Sequence, residues 1–133
     1  MPDQKPVGLI GVGLMGEVYA RRLIAAGFGV IGFDIDATRN ERLRQIGGRA
    51  GSLAEIARDC DPIVLAVFST DQVEDAVERS LLPAAAGKTV ICTSTCDPDR
   101  LVALAARVAK DLRFLEVRSR ERARRCVKAT ASG

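Results

Sequence analysis

The chain has no histidine and no tryptophan, and only 4% of its 133 residues are aromatic. A core built from it must be packed by aliphatic side chains rather than rings. Cysteine is sparse: Cys60, Cys92, Cys96 and Cys126 are the four present. Cys92 and Cys96 form a C-x3-C pair, but without histidine or a second pair they do not read as a zinc site, so no metal ligand is expected. The thiols read as reduced, with Cys92 inside a strand. No apolar run approaches the ~18 residues that span a bilayer, so no membrane partner is expected. MPDQKPVGLIGVG carries one lysine and a glycine-broken apolar stretch, which makes a poor secretory leader. The expected address is the cytoplasm.

Hydrophobic residues make up 47% and charged residues 28%, the balance of one globular domain. Charge is unevenly spread. Residues 1–117 hold 14 Lys/Arg and 16 Asp/Glu, a balance of −2, whereas residues 118–133 hold six Lys/Arg and one Glu, a balance of +5. The expected organisation is therefore a domain over 1–117 and a basic tail over 118–133.

Within 1–117, short apolar runs alternate with helical patterns. PVGLIGV (6–12) is a continuous apolar run, as a strand covered on both faces should be; GVIGFD (29–34), PIVLAVF (62–68), TVICTS (89–94) and RFLEV (113–117) read as further strands. Between them, Leu14, Ala20, Leu23 and Ile24 recur at helical spacing over Leu14–Ala26, and Gly27 follows as a stop. Thr38–Ile46 is helix-compatible and ends at Gly47-Gly48. Ser52 with Glu55 forms a capping box for a short helix through Arg58. Asp71–Ser80 turns Val73 and Val77 inward. Pro98 opens a helix whose inner face is Leu101, Leu104, Ala105 and Val108. This alternation predicts an α/β fold, a doubly wound, Rossmann-type and mostly parallel sheet, incomplete at the C-terminus.

The first strand ends in Gly11-Val12-Gly13-Leu14-Met15-Gly16, a G-x-G-x-x-G turn that opens a helix. Asp34 follows 23 residues after Gly11, at the end of the second strand. That context turns a weak pattern into a dinucleotide-binding fingerprint. Gly11 permits the tight turn, Gly13 lets backbone approach a pyrophosphate, and Gly16 lets the helix pack against the sheet. The first N–H groups of the helix and its positive dipole end then face the phosphates. Asp34 would accept hydrogen bonds from the ribose diol and repel a 2′-phosphate. Ile35 and Asp36 follow it rather than an arginine, so NAD is the expected cofactor and NADP the less favoured.

The stretch GLIGVGLMGEVYARRLIAAGFGVIGFD resembles the opening of the β-hydroxyacid dehydrogenases, the group of 3-hydroxyisobutyrate dehydrogenase, tartronate semialdehyde reductase and 6-phosphogluconate dehydrogenase. Met15 before the last glycine is typical of them. DPIVLAVFSTDQVEDAV (61–77) is similar to their strand and loop beneath the nicotinamide ribose, with Val67-Phe68-Ser69 where a Leu-Pro pair is usual. CTSTCDP (92–98) matches their S-T-x-x-P motif at Ser94, Thr95 and Pro98. The resemblance implies that Val67, Phe68, Ser69 and Thr95 line the nicotinamide side. It further implies an oxidoreductase moving hydride between nicotinamide and a small hydroxy acid in the intact relative.

The likeness runs from residue 6 to Val117 and then stops. The family continues with Pro-Val-Ser-Gly, a long helix carrying the catalytic lysine, and a helical domain. Lys110 and Lys128 match no such lysine motif, so no catalytic residue is assigned and no turnover is expected from this chain. One set of codons for the tail, shifted by a single base, reads Pro-Val-Ser-Gly at the expected place. The tail is therefore read as out-of-frame or disordered sequence. It has no aromatic residue or motif for specific nucleic-acid binding. The alternative function is a stand-alone dinucleotide-binding sensor or complex subunit without enzyme activity. A sheet ending at RFLEV would also offer an exposed edge for self-association.

Overall fold

The computed structural model describes residues 5–67, 69–81, 87–93 and 97–117. Along the chain run β1 (Val7–Ile10), α1 (Leu14–Ala25), β2 (Val30–Phe33), α2 (Ala37–Gln45), β3 (Arg49–Ala50) and α3 (Leu53–Asp59). They are followed by β4 (Pro62–Leu65), α4 (Thr70–Asp75), β5 (Thr89–Cys92), α5 (Pro98–Val108) and β6 (Arg113–Glu116). After Asp75, α4 continues as π-helical turns over Ala76–Leu81.

The six strands form one sheet in the order β3-β2-β1-β4-β5-β6. Every pairing is parallel, with Leu9 opposite Gly32 on one side and Val64 on the other. That is the doubly wound Rossmann order, in which the chain reverses its direction of travel between β1 and β4. A crevice opens at that point beyond the carboxyl ends of the strands.

The strand interior explains the sequence pattern. Along β1, Val7 and Leu9 join a buried cluster with Ala20 of α1 and Leu43 of α2, while Ile10 joins the opposite cluster. Along β4, Val64 packs with the first cluster and Ile63 and Leu65 with the second. The second cluster also takes Ile56 of α3, Val73 of α4 and Leu101, Leu104 and Val108 of α5. Each fully buried Leu or Ile contributes about 1.5–3 kcal/mol of transfer free energy, so the two clusters dominate the fold. Cys60 lies in the second cluster; burial pushes its thiol up to about 11, so it packs as a small apolar group rather than a nucleophile.

Polar side chains cap the starts of α2, α3 and α5. Asp36 caps α2 by accepting from the Thr38 N–H. Ser52 and Glu55 form the expected capping box on α3. Asp97 caps α5 with Pro98 in its first turn. Lys88 donates to the carbonyls of Ala57 and Arg58, which satisfies the last turn of α3.

Three details differ from the sequence reading. The strands are shorter than the apolar runs, because the runs continue into the turns at their carboxyl ends. Strand β3 is only two residues long, too short for any periodicity to announce. The helix expected over Asp71–Ser80 divides at Asp75, since Val73, Val77 and Leu81 stay buried under either winding. The expected boundary after Val117 lies where the described residues end, and the tail lies outside them. Among the described residues no helix is long and apolar enough to cross a membrane.

Candidate dinucleotide-binding site

The crevice is built from the end of β1 outward. The Ala66 N–H donates to the Ile10 carbonyl at 2.8 Å and the Gly11 N–H to the Phe33 carbonyl at 2.8 Å, so the turn leaves the sheet fully paired. Gly11 then takes φ +96°, a region that L side chains rarely adopt. A Cβ there would stand 2.3 Å from the Ala66 carbonyl oxygen. A Cβ on Gly16 would stand 2.1 Å from the Gly11 carbonyl oxygen, so α1 sits directly on the turn that launches it. Both glycines are therefore required by backbone packing.

Gly13 is the N-cap of α1 and supplies no side-chain cap. The first N–H groups of a helix have no intrahelical acceptor, and here they open beside the crevice. Leu14 and Met15 in that first turn are 79% and 54% exposed. Val12 behaves differently from its neighbours. Its side chain is buried in the core, and its N–H donates to Asp34 Oδ2 at 2.8 Å.

Asp34 thus does two jobs. One carboxylate oxygen grips the glycine turn through Val12, and the other accepts the Asp36 N–H at 2.9 Å. Its backbone is clamped by the Asn40 side chain, which accepts from Asp34 N and donates to Asp34 O, both at 2.9 Å. Each carboxylate oxygen keeps a second lone pair that is free to accept from a ligand hydroxyl.

A cavity of about 260 Å³ occupies the crevice. Gly11, Gly13, Asp34, Ile35 and Val67 line it, five of the residues expected from sequence. Ile35 is 87% exposed at its mouth. Gly16 supports the turn from behind. Ser69 is the N-cap of α4, where its hydroxyl accepts the Gln72 N–H, and it is not part of the lining. Phe68 and Thr95 lie outside the described residues.

Sequence reasoning missed a wall of this cavity. Leu53 of α3 and Gln72, Asp75, Ala76 and Arg79 of the α4 region also line it. Their spacing of three, four and seven residues is a helix face adjoining the buried Val73–Val77 stripe. That periodicity was available, but a polar helix face reads as a solvated one unless a cavity is known to lie against it. Arg79 is paired with Asp75 at 3.3 Å.

The glycine cradle, the uncapped helix start and the carboxylate just after β2 fit a dinucleotide. The family model for the NAD binding domain of 6-phosphogluconate dehydrogenase matches residues 6–117. The chain belongs to that family. It is similar to the L-threonate dehydrogenase of Cupriavidus necator, 34% identical over 108 residues, which are 78% of this chain and 36% of that protein. The mitochondrial 3-hydroxyisobutyrate dehydrogenase of Rattus norvegicus is 30% identical over 114 residues, 83% of this chain and 34% of that protein. Among solved structures, the 3-hydroxyisobutyrate dehydrogenase of Salmonella typhimurium superposes with a TM-score of 0.75 at 27% identity, covering 84% of this chain and 40% of that one. The chain spans about a third of the length of the curated relatives it matches. The matched domain is an NAD-binding one, so membership of the family supports a nicotinamide dinucleotide as the cofactor.

Proposed function

We propose that the chain binds NAD in preference to NADP. The supporting observation is the placement of Asp34, a carboxylate fixed at the cavity edge by two backbone N–H groups and the Asn40 clamp. A fixed anion there accepts from a ribose diol and repels a 2′-phosphate. The nearby cations do not offset it, because Arg39 faces Asp36 at 3.9 Å and Arg79 faces Asp75. Gly11, Gly13 and the first turn at Leu14, Met15 and Gly16 hold the pyrophosphate, while Val12 acts through Asp34. Ile35 covers the adenosine end; Val67, Phe68, Ser69 and Thr95 belong to the nicotinamide side.

A bound nicotinamide dinucleotide supplies hydride transfer, and the longer protein's substrate in this reading is a small hydroxy acid. The 133-residue chain positions the dinucleotide without turning over that substrate. Support comes from topology: Lys5 precedes β1, Lys88 precedes β5 and Lys110 follows α5, so all three described lysines sit at the sheet end opposite the glycine turn. Self-association through the β6 end belongs to the same reading, supported by the exposure of Leu115 and Val117 there.

Calorimetric titration of the purified chain with NAD and NADP tests the cofactor assignment. NAD should bind more tightly, Asp34→Ala should weaken it at least about tenfold, and Asp34→Asn should narrow the gap between the two cofactors. Equal affinity for both in the unsubstituted chain would overturn the NAD preference. Hydroxy-acid oxidation by the purified chain would overturn the absence of turnover.

A further inference from the structure

Among the described residues that line the cavity, Asp34 and Asp75 carry negative charge and Arg79 is the one basic group. At about 260 Å³ the cavity is small for a whole dinucleotide, since ligand pockets run from about 300 to 1,000 Å³. None of the lining residues belongs to β5, to α5 or to the described part of their connection. The cavity is therefore the part of the crevice bounded by β1, β2, α3 and α4, beside the carboxylate assigned above to the ribose.

The α4 region has two charged faces. Asp71, Glu74 and Glu78 turn toward α5, where Arg100 takes the first two and Arg107 pairs with Glu74 and Glu78. The remaining charged residues of that region, Asp75 and Arg79, belong instead to the cavity wall, with Gln72 and Ala76. Ala76 lies in the buried core, so the backbone that carries the pair is anchored.

The pair itself is loose. Arg79 Nε stands 3.3 Å from Asp75 Oδ1, longer than a charge-assisted hydrogen bond of about 2.7–2.9 Å. The two side chains are 81% and 67% exposed, and an ion pair in water holds its partners weakly. A guanidinium also presents a planar fork of donors that suits phosphate oxygens. Asp75 thus restrains Arg79 without committing it.

We propose that Arg79 is a latent ligand for the 2′-phosphate of NADP, kept from it by Asp75, so that this pair sets the cofactor preference together with Asp34. The inference rests on the dinucleotide reading above. In the unsubstituted chain a 2′-phosphate meets two carboxylates and a cation already engaged. Removing the Asp75 charge frees the guanidinium to donate to the phosphate, whereas NAD, with a hydroxyl at that position, gains nothing.

NAD and NADP differ only in that phosphate, so the test is calorimetric titration of both against the unsubstituted chain, Asp75→Asn, Arg79→Gln and the double variant. Because Asp34 opposes NADP by itself, each titration is repeated in the Asp34→Asn background, where the weaker cofactor is easier to read. Both side chains are exposed, so native circular dichroism is expected throughout. Asp75→Asn should raise NADP affinity about fivefold and leave NAD within about twofold, and Arg79→Gln should abolish the gain. An NADP affinity unchanged by Asp75→Asn in both backgrounds would overturn the proposal, as would an equal rise for NAD. A gain that survives Arg79→Gln would do the same, because Asp75 would then act only by repulsion. If the unsubstituted chain binds neither cofactor, or binds both equally, the reading beneath this one falls; failure of the Arg79 role alone leaves the NAD preference and its dependence on Asp34 in place.

Discussion

Strands β1 and β4 bury side chains on both faces, whereas β6 buries Phe114 against one cluster and leaves Leu115 and Val117 on the other side at 45% and 52% exposure. The difference follows from where the helices lie. Helices α1 and α2 cover one face over β1 and β2, while α3, α4 and α5 cover the opposite face, so the described helices leave one side of the β5–β6 end open. The crevice forms at the doubly covered middle, where the glycine turn is fixed by Phe33, Ala66 and Asp34. Backbone hydrogen bonds and close backbone approaches thus surround the place where a ligand must be held.

Several substitutions would sharpen or break that contrast. Leu65→Ala, at the carboxyl end of the central strand β4, should cost about 2–5 kcal/mol in urea unfolding, since its side chain is fully buried. A cost below about 1 kcal/mol would mean the centre of the sheet is not the packed region described. Gly16→Ala should cost about 1–3 kcal/mol and also weaken dinucleotide binding, because α1 must retreat from the Gly11 carbonyl. Unchanged stability and affinity would show that α1 does not rest on the turn.

Acid provides a third, smaller perturbation. Arg42 holds Glu17 below its ordinary value of 4.5, Arg49 does the same for Glu55, and Arg58 holds Asp59 below 3.8. Lowered folded-state values mean these carboxylates stabilise the fold above their unfolded values and lose that contribution as pH falls through the folded ones. The urea midpoint should therefore drop as pH goes from about 6 to about 3, and high salt should shrink the change because the pairs are exposed. A midpoint that rises with acid would contradict the pairing. The smallest stability effect belongs to Leu115→Ser, within about 0.5 kcal/mol, because that side chain is half exposed. The same change should reduce concentration-dependent association in sedimentation experiments; association unaffected by it would place the contact elsewhere.

Much of the crevice was legible in the sequence because its chemistry is local. A turn that must take positive φ at Gly11 and admit a helix at Gly16 can hardly be built from other residues, so the pattern and its place between strand and helix point to one structure. Asp34 was legible as a carboxylate at the end of the second strand but not as the clamp on Val12, because that bond joins residues 22 apart and exists only once β1 and β2 pair. The wall formed by Gln72, Asp75 and Arg79 was hidden for a related reason: polar residues on a helix look alike whether they face water or a cavity. The bond from the Asp97 N–H to the Thr70 hydroxyl was invisible because a lone threonine at a helix start gives no sign of a partner 27 residues away. Strand β3 contributes two residues and owes its existence to pairing with Ile31 and Gly32 rather than to its own sequence.

The most direct test of the account is an amide NMR titration of the chain with NAD. Shifts should concentrate at Gly11–Gly16, Asp34, Ile35, Val67 and the Gln72–Arg79 face, with Leu115 and Val117 unmoved. Absence of shifts at the glycine turn, or shifts centred on β6, would contradict the placement of the cofactor site at the doubly covered centre of the sheet.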